Sequence, residues 1–178
     1  MRNFARFVLK LFGWTVIGEV PENIKKAVVI GAPHTSNWDF PIGYVAYLGL
    51  GVRAKFLMKK ELFFFPMSYI FKFLGGIPVE RRKKNSVVED VVAQINESKV
   101  FYLTIAPEAT RSKVEKWKDG FYRISRMADI PLIVGFIDYG KKEVGIIGEF
   151  KLSENIDDDM QKIKAYYNKS MAKYPEKF

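Results

Sequence analysis

Apolar residues in MRNFARFVLKLFGW fall at Phe4, Phe7, Val8, Leu11 and Phe12. That spacing gathers them on one face of a helix. Arg2, Asn3, Arg6 and Lys10 take the other side. The period then changes. Residues 15–20 and 27–31 read as strands about a Pro21-Glu22-Asn23 turn, and AVVIGA is a continuous apolar run of the kind buried on both faces of a sheet. Residues 33–37 are loop, and a helix over 40–50 carries Pro41 in its first turn. A strand over 54–58 leads into 59–74, where Pro66 splits FFFPMSYIFKFL into two short helical pieces. A short strand over 77–79 follows. Asn85 or Ser86 then caps a helix to Glu97 with Val87, Val88, Val91 and Val92 toward the core. Next come a strand over 100–105, a helix over 117–127, and strands over 132–138 and 143–150 joined across Tyr139-Gly140. A last helix starts near Asp157-Asp158-Asp159, whose charges suit its positive end, and Lys162, Lys164 and Lys169 follow toward the other.

Strands alternating with helices predict an α/β fold: a single-domain sandwich with a mostly parallel or mixed central sheet flanked by helices. The chain divides into an amphipathic helix over 1–14 and one domain over 15–178. Two readings fit that first helix. It packs on its own core, or it lies flat in a membrane interface with aromatics inserted and cations toward anionic headgroups.

Composition narrows the chemistry. The chain has 178 residues, of which 48% are hydrophobic, enough for a substantial core. It has no cysteine, which excludes disulfides, a thiol nucleophile and cysteine-ligated metals. A single histidine leaves only His34 for any mechanism that needs an imidazole. No acidic cluster has calcium-loop spacing, so no metal is expected. No apolar run reaches the roughly 18 residues of a membrane span. The net charge of +9 attracts phosphate, whether in a nucleic acid, a lipid headgroup or a small molecule.

Three segments carry candidate chemistry. In GAPHTSNWDF a buried strand enters a proline-stiffened turn, with His34 and then Asp39 five positions on. If the intervening loop bends, Asp39 accepts from one ring nitrogen and leaves the other as a base. The alternative is a lone histidine capping a helix. In GGIPVERRKKN, Arg81 follows the strand-like IPVE, and the rest of the basic run suits a solvated surface. In APEATRSKVEKW, Glu108, Thr110, Arg111 and Ser112 occupy the loop after a buried strand, where open α/β sheets bind ligands. Arg111 offers a bidentate fork for phosphate, with Thr110 and Ser112 as hydroxyl donors.

Together and in this order, the segments resemble the glycerolipid acyltransferase family, which includes the lysophosphatidic acid acyltransferases. The family's H-x4-D block is matched by His34 and Asp39. Its G-x-x-F-x-x-R block is matched by Gly75 and Arg81, with Pro78 in place of the aromatic. Its P-E-G-T-R-S block is matched by Pro107, Glu108, Thr110, Arg111 and Ser112, with Ala109 in place of the glycine. Ile130-Pro131-Leu132-Ile133 is similar to its proline-containing apolar strand, and the stretch from Lys59 to Leu62 resembles the segment between its first two blocks.

The resemblance implies acyl transfer from a thioester, acyl-CoA or acyl carrier protein, to a hydroxyl of a lysophospholipid, with the thioester as co-substrate and no cofactor. His34 and Asp39 would be catalytic. Lys59, Arg81, Glu108, Thr110, Arg111 and Ser112 would bind substrate, with Glu108 either holding the acceptor's polar end or orienting Arg111. The absence of cysteine and of a G-x-S-x-G elbow favours direct attack over a covalent acyl-enzyme. A lipid acceptor gives the first helix a motive for peripheral attachment to the cytoplasmic face of the membrane, and FFFPMSYIFKFL is either a second contact or a lining for the core or acyl groove. The rivals are a non-enzymatic binder of anionic surfaces or nucleic acid, and a phosphate-ester enzyme. The aromatics do not interleave with Lys/Arg, which argues against a nucleic-acid partner, and the absence of an R-H-G context argues against a histidine phosphatase.

Overall fold

The computed structural model describes residues 1–80 and 84–178, with the backbone alone for 84–86. The elements run α1 (Arg2–Leu11), β1 (Thr15–Ile17), β2 (Lys26–Ala32), α2 (Asp39–Leu50), β3 (Ala54–Lys59), α3 (Met67–Phe73), β4 (Gly76–Val79), α4 (Lys84–Glu97), β5 (Phe101–Ile105), α5 (Gly120–Ala128), β6 (Leu132–Asp138), β7 (Glu143–Phe150) and α6 (Ile156–Lys164). Among the described residues the strands form one mixed sheet in the order β1-β7-β6-β2-β5-β3-β4. β6 and β7 pair antiparallel; β2, β3, β4, β5 and β6 all run in one direction. The single α/β domain expected from the alternation is what forms.

β2 lies between β5 and β6, and its residues Ala27 to Ile30 are wholly buried. Because side chains alternate along a strand, Ala27 and Val29 enter a cluster with Tyr47 and Leu50 of α2. Val28 and Ile30 enter the larger cluster with Val91 and Ile95 of α4, Phe121 and Ile124 of α5, and Ile163 of α6. The sheet is thus covered on both faces. This is why AVVIGA has no polar position.

Several element boundaries differ from the sequence pattern, beginning with α1, which ends at Leu11 and not at residue 14. β1 stops at Ile17 because Gly18 turns at φ +80°, where an added Cβ would lie 2.2 Å from the Ile146 carbonyl oxygen. α5 begins at Gly120, not Trp117: Lys118 N–H donates to the Pro107 carbonyl, and Trp117 is buried against Tyr167 in the preceding loop. α4 begins at Lys84, so Asn85 and Ser86 stand inside the helix and not at its cap. α6 ends at Lys164, and Lys169 opens a separate 3₁₀ turn.

α1 is bound to the domain by a stripe other than its aromatic one. Ala5 and Leu9 are buried, Leu9 and Trp14 share a cluster with Ala46 of α2, and Arg6 Nε donates to the Gly49 carbonyl near the end of α2 at 2.9 Å. Phe4, Phe7, Leu11 and Phe12 are left exposed. No helix among the described residues is long and apolar enough to cross a membrane.

Candidate active site

Parallel strands deliver their following loops to one edge of the sheet, and the order β2-β5-β3-β4 sets those loops side by side. His34 follows β2, the loop from Pro107 to Ser112 follows β5, and Lys59 ends β3. Arg81 comes two residues after β4 but lies outside the described residues.

The five-residue separation of His34 and Asp39 is closed by the loop curling around the carboxylate. Asp39 Oδ2 accepts the N–H groups of Thr35 at 2.9 Å and Ser36 at 2.8 Å, and it lies 3.1 Å from His34 Nδ1. A carboxylate only accepts, so Nδ1 carries the proton in this bond, and in the neutral form of the ring Nε2 keeps a lone pair. Asp39 is the first residue of α2, where the helix dipole favours negative charge. Its Oδ1 accepts the Tyr139 hydroxyl at 2.7 Å. The Asp39 side chain is buried, and that of His34 is 28% exposed.

Glu108 sits beneath this loop. Only 6% exposed, it accepts the His34 backbone N–H on Oε1 at 3.0 Å, and Oε2 has no partner. Burial pushes its carboxyl above the ordinary range; bonds from its own and the His34 backbone N–H, and the charge of His34, pull the other way. Its bond goes to the histidine loop and not to Arg111, whose Nη1 donates to Asn37 Oδ1 instead. Arg111 is therefore tied to the His34–Asp39 loop by Asn37. Thr110, Arg111 and Ser112 are exposed, and Ser112 N–H donates to Thr110 Oγ1. Lys59 is exposed at its neighbouring strand end.

His34 and Asp39 line a cavity of about 1010 Å³ whose walls are mostly apolar, including Phe40, Leu50, Phe56, Leu57, Val88 and Met160. Gly43, one helical turn after Asp39, also lines it and leaves open space where a side chain would stand. Among the described residues no group of three or more His, Asp or Glu side chains converges as a metal site would.

Ala109 adopts φ +55° at the turn closed by its N–H to the Ala106 carbonyl. A Cβ in this left-handed region costs about 1–2 kcal/mol, partly offset by the extra freedom glycine has when unfolded. Ala109→Gly is therefore expected to stabilise the protein by about 0.5–1 kcal/mol. Urea unfolding checks this, and a lower midpoint would contradict it.

Sequence reasoning did not reach two residues of this site. Asn37 reads from sequence only as part of the stretch that bends the H-x4-D loop, and nothing there marks it as the partner of Arg111. Tyr139 reads from sequence only as part of a hairpin turn, although an aromatic in a turn otherwise made of Gly and Lys is a signal that it packs on something.

The sequence profile of a family described as Acyltransferase matches residues 15–135, more than half of the chain. No curated protein matches the sequence significantly. Among solved structures, the fold is similar to the crystal structure of the 1-acyl-sn-glycerophosphate (LPA) acyltransferase PlsC from Thermotoga maritima. The TM-score is 0.61 at 18% identity, over 93% of this chain and 74% of that one.

Proposed function

The chain belongs to the acyltransferase family, and from that premise we propose that it transfers a fatty acyl group from a thioester to a lysophospholipid hydroxyl, with His34 as general base. The observation that carries this reading is the His34–Asp39 pair at a large, mostly apolar cavity. Its polar end offers a base, and its walls suit an acyl chain. Family membership displaces the non-enzymatic binder and the phosphate-ester enzyme as readings of the chain.

In the proposed step, His34 Nε2 takes the proton of the acceptor hydroxyl as its oxygen attacks the thioester carbonyl carbon. The C–S bond of the tetrahedral intermediate then breaks, and the imidazolium returns the proton to the departing sulfur. Asp39 holds the ring and stabilises its cationic form. Arg111 uses one of its five N–H donors on Asn37 and has others for the acceptor's phosphate. Lys59 at the end of β3 and Thr110 and Ser112 in the loop after β5 complete the proposed acceptor site, with Arg81 as a further candidate that lies outside the described residues. Glu108, bonded to the His34 main chain, braces the loop that carries the base.

The same reading places the protein on a membrane surface. The acceptor is a lipid, and α1 with its C-terminal cap residue Phe12 turns four large apolar side chains outward. A second exposed apolar group, Phe64, Phe65, Tyr69 and Phe73, lies in and just before α3. The donor carrier is acyl-CoA or acyl carrier protein.

Incubating the protein with lysophosphatidic acid and acyl-CoA, and separately with acyl carrier protein charged with the same chain, tests the reaction. Acceptor-dependent thiol release with formation of diacyl product by mass spectrometry is expected in at least one arm. Release of inorganic phosphate without acyl transfer would overturn the proposal.

A further inference from the structure

The two oxygens of Asp39 have different partners. Oδ2 faces His34 Nδ1 and the Thr35 and Ser36 amides, whereas Oδ1 receives the Tyr139 hydroxyl at 2.7 Å from 100 positions along the chain. Tyr139 is itself held from two sides. Its backbone N–H donates to the Met171 carbonyl at 2.9 Å. Its ring meets Trp14 edge to face, with centroids 5.0 Å apart and planes at 86°. Burial, then the bond to Asp39 and the charge of that carboxylate, push the phenol well above its ordinary range, so it stays protonated and donates.

We propose that Tyr139 is a positioning residue for the acyl-transfer site, fixing the rotation of the Asp39 carboxylate and drawing charge from it, so that Asp39 holds the His34 imidazolium less tightly than an unshared carboxylate would. This rests on the reading of His34 as the base. A hydrogen bond to an ionised acceptor is stronger than a neutral one. The Tyr139 hydroxyl and the His34 ring therefore compete for the same negative charge. Without the hydroxyl, more of that charge faces Nδ1, the imidazolium is favoured, and the ring gives up its proton only at higher pH.

Among the described residues, other titratable and charged groups face the pair from the packed elements: Glu108 from the loop after β5, and Lys173 and Tyr174 from the C-terminal segment. The Lys173 ammonium lies 5.7 Å from the Tyr139 ring centroid, and Tyr174 N–H donates to Thr35 Oγ1. Tyr139→Phe keeps the ring that touches Trp14 and Lys173 and removes only the oxygen.

Because the chain has one histidine, the imidazole C–H resonance in an NMR pH titration reads His34 directly, independently of turnover. In Tyr139→Phe the titration midpoint is expected to rise by about half a pH unit relative to wild type, a fraction of what a whole neighbouring charge produces. The acid limb of the kcat/KM profile should follow it, with kcat about tenfold lower. Incorporating 3,5-difluorotyrosine at position 139, a stronger donor of nearly the same shape, should move the midpoint the other way, and it decides the matter if Tyr139→Phe does not fold. A midpoint that stays at its wild-type value overturns the proposal, whatever happens to kcat. Absence of acyl transfer in the wild-type protein would instead refute the reading of the site, leaving the titration to judge the Tyr139–Asp39–His34 coupling alone.

Discussion

His34→Ala is expected to lower the rate of acyl transfer by about 10²–10⁴-fold, the usual contribution of a positioned general base, while thermal stability stays close to wild type. The two halves of that expectation have separate grounds. The imidazole is partly exposed, and among the described residues its hydrogen bond goes to Asp39. The bonds that shape the loop survive its removal: Asp39 Oδ2 keeps the Thr35 and Ser36 amides, and Glu108 Oε1 keeps the backbone N–H of residue 34. Asp39→Ala is a less clean probe, because it would release two buried main-chain donors and the Tyr139 hydroxyl together with the imidazole. Thiol release can be followed with a thiol reagent against no protein background, since the chain contains no cysteine. A variant that turns over within about threefold of wild type would remove His34 from the role of base.

The parts of this molecule that were legible in the sequence are those governed by local periodicity. AVVIGA announces a strand buried on both faces, and Ala27 to Ile30 are the least exposed run in the central strand. His34, Asp39 and the loop from Pro107 to Ser112 could be placed beyond strand ends because each follows an apolar run directly. The partners of those residues were not legible. That Glu108 would meet the His34 amide 74 positions away depends on β2 and β5 being adjacent, and strand order leaves no trace in the spacing of apolar residues. Tyr139 reaches Asp39 because β6 lies on the other side of β2, which is the same kind of information. The left-handed turn at Ala109 was hidden for a different reason. Alanine carries no signal for positive φ, and only the glycine at that point in the resembling pattern hinted at it.

Replacing Phe4, Phe7, Leu11 and Phe12 together with serine is expected to reduce partitioning onto anionic lipid vesicles by about 10³-fold, leaving the unfolding midpoint unchanged. The periodicity of the first helix left open whether its apolar face seals the core or meets a bilayer. In the fold, the core contact is made by Ala5 and Leu9, while the four larger side chains are 71%, 55%, 67% and 69% exposed. Full burial of such a side chain is worth roughly 1.5–3 kcal/mol. Partial insertion at the headgroup boundary recovers about half of that, or about 4 kcal/mol for four residues, and each 1.4 kcal/mol is tenfold in partition. The net charge of +9 adds attraction of about 1 kcal/mol for each basic residue near the surface, and salt should screen it equally in both proteins. Deleting the helix would be a poorer test, because it would also strip Leu9 from its cluster with Trp14 and Ala46, and Arg6 from the end of α2. Phe64, Phe65, Tyr69 and Phe73 remain in the serine variant and account for the residual binding it should keep. Co-sedimentation at two salt concentrations separates the contributions. Undiminished binding would assign the surface contact to that second group and the charge, whereas a large fall in the unfolding midpoint would mean that the aromatic stripe is packed in solution after all.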